Sequence, residues 1–117
     1  MTLREFYEKV GGDYEDVCSR LGSEEVVRSI VKMLLTDRHY ERCKQALMTG
    51  DADAAFCSAH ALKGICMNLD LRRLQEKAAD LTEVLRSNRR DMKKAPAAFS
   101  ELQSCYLDTI DALNTLE

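Results

Sequence analysis

Apolar residues recur every three or four positions along nearly the whole chain, and no stretch alternates with period two over a useful length. The pattern predicts helices throughout. Leu3, Phe6, Tyr7 and Val10 mark a short helix over about 2–10, opened by Thr2 and stopped by Gly11-Gly12. A second short helix covers about 13–21 and ends at Gly22. Ser23 before Glu24-Glu25 reads as a capped start with acids in the first turn. From there Val27, Ile30, Val31, Leu34, Leu35, Cys43, Leu47 and Met48 carry one apolar face over about 24–49, and Asp37-Arg38-His39 either kinks that helix or begins a second piece. Gly50-Asp51 places a helix stop directly before a helix start, as in a tight turn between antiparallel helices. The following helix covers about 51–69. Asn68-Leu69-Asp70 breaks it, with Asp70 as N-cap of a helix over about 71–90 that carries Leu71, Leu74, Ala78, Leu81, Val84 and Leu85. The last helix begins near Pro96, which a first turn tolerates, and contributes Ala98, Leu102, Cys105, Leu107, Ile110, Leu113 and Leu116. The expected fold is all-α: an antiparallel four-helix bundle with one or two short N-terminal helices, forming a single domain over 1–117.

Composition narrows the class. A chain of 117 residues, 45% hydrophobic and 32% charged, can bury a core without disulfides or metals. No apolar run approaches the roughly 20 residues of a membrane span, and the first residues lack an apolar signal segment, so a cytoplasmic, monomeric protein is expected. The start at Met1 and the compact ending favour a free-standing chain. Cysteines 18, 43, 57, 66 and 105 form no CxxC pair and read as free thiols serving as small core residues. A net charge of −3 gives no reason to expect nucleic acid. The basic run from Arg86 to Lys94 has no interleaved aromatics and reads as cations at a helix C-terminus and in a solvated loop.

Chemistry concentrates on the helix over 51–69. At about 3.6 residues per turn, His60, Lys63, Gly64 and Met67 share one side, with Phe56 and Cys57 flanking it one turn earlier. Ala55, Leu62, Ile65 and Leu69 form the opposite, core-facing stripe, with Cys66 at its margin. His60 therefore points away from the core. Gly64 is the one glycine inside a helical pattern, where it costs about 1 kcal/mol relative to alanine. A glycine there removes bulk beside an imidazole that already has a cation one turn away.

The stretch Gly50-Asp51, eight intervening positions up to His60-Ala61-Leu62-Lys63-Gly64, then Asn68-Leu69 and the Leu71–Leu74 pair, closely resembles the histidine-containing phosphotransfer (HPt) domains of bacterial two-component phosphorelays. That family carries a similar histidine-x-Leu-Lys-Gly signature behind a Gly-Asp turn. The chain departs from that pattern in two places. Ile65, Cys66 and Met67 stand where small residues are frequent, and Asp70 stands where a glycine is common. The resemblance implies that His60 is the phosphoacceptor, Lys63 an electrostatic helper for the phosphoryl oxygens, and Gly64 the residue that lets a partner approach. Phe56, Cys57 and Met67 are the expected docking rim. It implies receiver domains of response regulators or hybrid kinases as partners, Mg²⁺ carried by the receiver, and no cofactor in this chain. A phosphoryl carrier of this kind is not a true enzyme, and the chain has no glycine-rich nucleotide loop that would make it a kinase. Two other readings compete: a zinc-binding bundle using His39, Cys43, Cys57 and His60, and a non-catalytic helical interaction module.

Overall fold

The computed structural model describes residues 1–117 and contains helices and turns but no strand. Three short helices come first: α1 (Leu3–Val10), α2 (Tyr14–Leu21) and α3 (Glu24–Lys32). A 3-10 turn over Met33–Thr36 follows, and then four helices that build the bundle: α4 (His39–Met48), α5 (Ala52–Leu69), α6 (Arg72–Leu85) and α7 (Ala95–Asn114). The helix expected over 24–49 is thus two helices, so three short helices rather than one or two precede the bundle. The break falls where Asp37 is extended (ψ 141°) and its carboxylate accepts the backbone N–H of His39 at 3.0 Å and meets His39 Nδ1 at 2.8 Å. A short Asp or Asn side chain offers the backbone this alternative to a continued helix.

The starts of α1, α2, α3 and α5 follow from their first residues. Thr2 and Glu5 close a reciprocal capping box, and Asp13, Ser23 and Asp51 each accept the N–H three residues on. Gly50 adopts φ 76°, a conformation that costs glycine nothing, and the Asp51 N–H reaches back to the Ala46 carbonyl at 2.8 Å. The turn between α5 and α6 works differently. Asp70 is not the N-cap of α6; it closes α5 in the left-handed region at φ 56°. A left-handed φ is a conformation that glycine adopts freely and other residues rarely do. Asp70 is held there by its own side chain, which accepts from the Asp13 N–H at 2.6 Å and from Arg72 Nε at 3.0 Å. The Tyr7 hydroxyl donates to the Leu69 carbonyl at 2.8 Å beside it. Gly12 packs so closely under this turn that a Cβ there would collide with the Asp70 carbonyl oxygen and the Tyr7 ring.

One hydrophobic core joins these elements. Leu3, Phe6, Tyr7 and Val10 of α1 belong to the same buried cluster as Leu62, Cys66, Leu74, Leu81 and Leu102 of the bundle. Between α4 and α7 the contact is aromatic: the Tyr40 and Tyr106 rings stack at 3.9 Å, with Phe99 on Tyr40 at 5.7 Å. Several expected core positions lie elsewhere. Leu35, Met48 and Leu107 are exposed, and Ile30, Leu47 and Ile65 are half-buried, while Cys66 is fully buried rather than marginal. Burial pushes the Cys66 thiol up to about 12 and the Cys43 thiol up to about 11. Helix α6 ends at Leu85, about five residues before the expected end near residue 90, because Arg86 turns extended at ψ 129°. No helix is long and apolar enough to cross a membrane.

Candidate functional site

Helix α5 positions the site. Ala55, Ala59, Leu62, Cys66 and Leu69 are buried along its inner face. The outer face carries His60, exposed, with exposed Cys57 and Met67 and half-buried Phe56, Lys63 and Gly64. All six residues singled out from the sequence therefore share the outward side of one helix.

The His60 ring does not hang free. It stacks nearly parallel on the Phe56 ring, with centroids 5.8 Å apart and planes 14° apart. The Arg86 guanidinium lies over the same Phe56 ring at 5.5 Å, within cation–π range, and is itself held by Glu83 at 2.8 Å. Arg86 beside it holds the Glu83 carboxyl below the usual carboxylate range, and Arg89 and Lys63 add to that effect. Arg90 crosses from the α6–α7 connection to Asp53 in the first turn of α5 at 2.8 Å. The contacts to Asp53 and Phe56 both fall on the N-terminal side of His60 along α5. An apolar groove of about 380 Å³ opens between the 3-10 turn and α5, lined by Ile30, Met33, Leu34, Ile65, Asn68 and Leu69.

Gly64 has open space around it. A Cβ built there would meet nothing within 4 Å. The folded chain gives no internal reason for glycine at this point, so the vacancy is a feature of the outer surface one turn from His60. The zinc reading fails on placement. Cys43 is buried with its thiol directed at the Ala55 carbonyl, His39 pairs with Asp37, and no group of three or more His, Cys, Asp or Glu side chains is placed to hold a metal.

The Hpt domain family model matches residues 35–114. The chain belongs to the Hpt domain family. Its membership carries histidine phosphotransfer in phosphorelays, with receiver domains as the partners of the class. The matched span of this Hpt domain holds α4–α7 and the whole outer face of α5, whereas α1–α3 lie before it. No curated protein and no solved structure shows a significant match to the chain.

Sequence spacing found the residues of α5 but not their cross-helix neighbours. Arg86 and Glu83 lie more than twenty positions after His60, and nothing local marks them. The basic run was visible, but only the early end of α6 turns Arg86 toward Phe56.

Proposed function

We propose that this Hpt domain is a phosphoryl shuttle between receiver domains, with His60 as phosphoacceptor. The reading rests on one observation: an exposed imidazole, a lysine one turn on, and an unfilled vacancy at Gly64 occupy the same outward face of a helix whose other face is locked into the core.

The chemistry is an in-line displacement. A neutral imidazole, which titrates near pH 6.5 when free, attacks the phosphorus of a receiver's aspartyl phosphate with a ring-nitrogen lone pair. The P–O bond breaks as the N–P bond forms, and the aspartate leaves as carboxylate. The second ring nitrogen keeps its proton. A second receiver's aspartate reverses the sequence and takes the phosphoryl group away. Such a transfer depends on alignment and charge neutralisation more than on covalent machinery. Stacking on Phe56 orients the ring. Lys63 attracts the phosphoryl oxygens, and the receiver supplies Mg²⁺. The vacancy at Gly64 admits the partner's backbone, with Phe56, Cys57 and Met67 as the rim it meets. A shuttle between intracellular receivers works as a monomer in the cytoplasm.

The test is transfer of labelled phosphate from a phosphorylated receiver domain. An acid-labile, alkali-stable label that disappears in a normally folded His60→Gln variant is the expected result. Label retained in that variant overturns the assignment.

A further inference from the structure

The connection between α6 and α7, residues 86–94, carries Arg86, Arg89, Arg90, Lys93 and Lys94 in nine positions of a chain whose net charge is −3. Helix capping explains part of this run. Arg86 and Arg89 follow the C-terminus of α6, where cations complement the helix dipole. Lys93 and Lys94 do not fit that account. They stand immediately before Ala95, at the N-terminus of α7, where the dipole disfavours positive charge, and α7 has no acid in its first turn to offset them. Both are exposed, and no ion pair or side-chain hydrogen bond engages either ammonium group. Local structure therefore disfavours these two lysines.

Their position supplies the missing reason. Arg90 ties the connection to Asp53, and Arg86 ties it to Phe56. Both anchors lie one to two turns before His60, and Phe56 is the ring on which His60 stacks, so the connection borders the stretch of α5 that leads to the imidazole. Along it Glu83 pairs with Arg86 and lies 3.9 Å from Arg89, Asp53 pairs with Arg90, and the Asp91 carboxylate accepts the Lys93 backbone N–H, which leaves the Lys93 and Lys94 ammonium groups without an acidic partner. A partner that delivers an aspartyl phosphate with Mg²⁺ is acidic at the same place by its own chemistry. Magnesium is held by one or two carboxylates plus the phosphate, and these leave net negative charge around the donor.

We propose that residues 86–94 are a cationic edge that selects receiver domains with an acidic rim around their phosphoaspartate. The proposal rests on His60 as phosphoacceptor and names the chemistry by which that site chooses its partner. Arg86 and Arg90 are fixed by their neighbours. Arg89, Lys93 and Lys94 reach into solvent and act on the approaching partner through charge, raising the encounter rate more than the strength of the final complex.

The experiment compares wild type with Lys93→Glu/Lys94→Glu and Lys93→Gln/Lys94→Gln. Donors are receiver domains phosphorylated by acetyl phosphate, with rims ranging from acidic to basic. Direct labelling of His60 by phosphoramidate, which needs no docking, serves as the control. Charge reversal is expected to slow second-order transfer from the acidic-rim receiver on the order of tenfold at low salt. It should also flatten the salt dependence and narrow the difference between receivers, with the glutamine pair intermediate. Phosphoramidate labelling stays at wild-type rate, and the melting temperature is unchanged or higher. Unchanged transfer and salt slope overturn the proposal, as does a lower melting temperature, which would make the lysines structural. Binding of a short random DNA duplex at physiological salt, lost in the reversed variant while transfer persists, reassigns the edge to nucleic acid. Failure of phosphoramidate to label wild-type His60 overturns the phosphoacceptor reading instead, so the two failures are distinguishable.

Discussion

Replacing Gly64 with alanine should make the free protein more stable and phosphoryl transfer slower. Glycine inside a helix costs about 1 kcal/mol relative to alanine, because its backbone loses more freedom on folding. Nothing in the folded chain recovers that cost, since an added Cβ at Gly64 meets no atom within 4 Å. Gly64→Ala should therefore stabilise by about 0.5–1 kcal/mol, which for a domain of this size raises the melting temperature by roughly 2–4 °C. The methyl group would occupy the space through which a receiver's backbone reaches His60. A displacement of about 1 Å from the in-line geometry can cost on the order of 100-fold in rate. Thermal unfolding by circular dichroism measures the first effect. Single-turnover transfer from a phosphorylated receiver measures the second, with phosphoramidate labelling as a control that the methyl group should disturb far less. Stabilisation accompanied by wild-type transfer would refute the assignment of the vacancy to the partner. Destabilisation would refute the claim that it is open.

Further outcomes are specific to other positions. Lys63→Ala should slow transfer in both directions while changing stability by no more than about 0.5 kcal/mol, as for an outward-facing position, checked by quench-flow labelling and urea unfolding. Gly12→Ala should be among the most damaging substitutions, costing more than about 2 kcal/mol, because the atom it strikes is the Asp70 backbone carbonyl and cannot swing aside. A variant with unchanged urea midpoint would contradict that packing. The Cys66 thiol, raised to about 12 by burial, stays protonated in the fold at pH 10, whereas in the unfolded chain it ionises near its ordinary value of 9. The unfolded state then binds fewer protons, so stability falls as pH rises above about 9. Cys66→Ala should remove about 1 kcal/mol of the loss seen between pH 7 and pH 10, and an identical loss in both proteins would sink this account.

The sequence made the outer face of α5 legible because a helix maps spacing directly onto geometry. His60, Lys63, Gly64 and Met67 need no tertiary information to share a side. The caps at Thr2, Ser23 and Asp51 were equally readable, being contacts over three residues. The sequence left a choice open where an apolar pattern crossed a break without punctuation, between a kink and a second helix at Asp37-Arg38-His39. Met33-Leu34-Leu35 continue the pattern of α3 into a 3-10 turn, and neither glycine nor proline marks the extended Asp37 that ends it. Asp70 carried a capping residue's identity but a glycine's conformation, and only its partner Asp13, far away in sequence, decides between the two. Tyr40 and Tyr106 were missed as core because their burial comes from stacking on each other across α4 and α7. Arg86 was visible as charge, but its place over Phe56 depends on where α6 stops.

The junction of Gly12, Tyr7 and Asp70 has a consequence for how the chain can be cut. The family-matched span begins at residue 35, yet the last carbonyl of the helix that carries His60 and the carboxylate that closes it find their partners in the first thirteen residues. A protein trimmed to the matched span would keep His60, Lys63 and Gly64. It would lose the clamp on the end of the helix that carries them and expose the side of the core covered by Leu3, Phe6 and Val10. Amides near Leu69 and Leu71 would then exchange with solvent by local fraying rather than by opening of the whole bundle. The boundary of recognisable family sequence and the boundary of the cooperative folding unit are different lines in this chain.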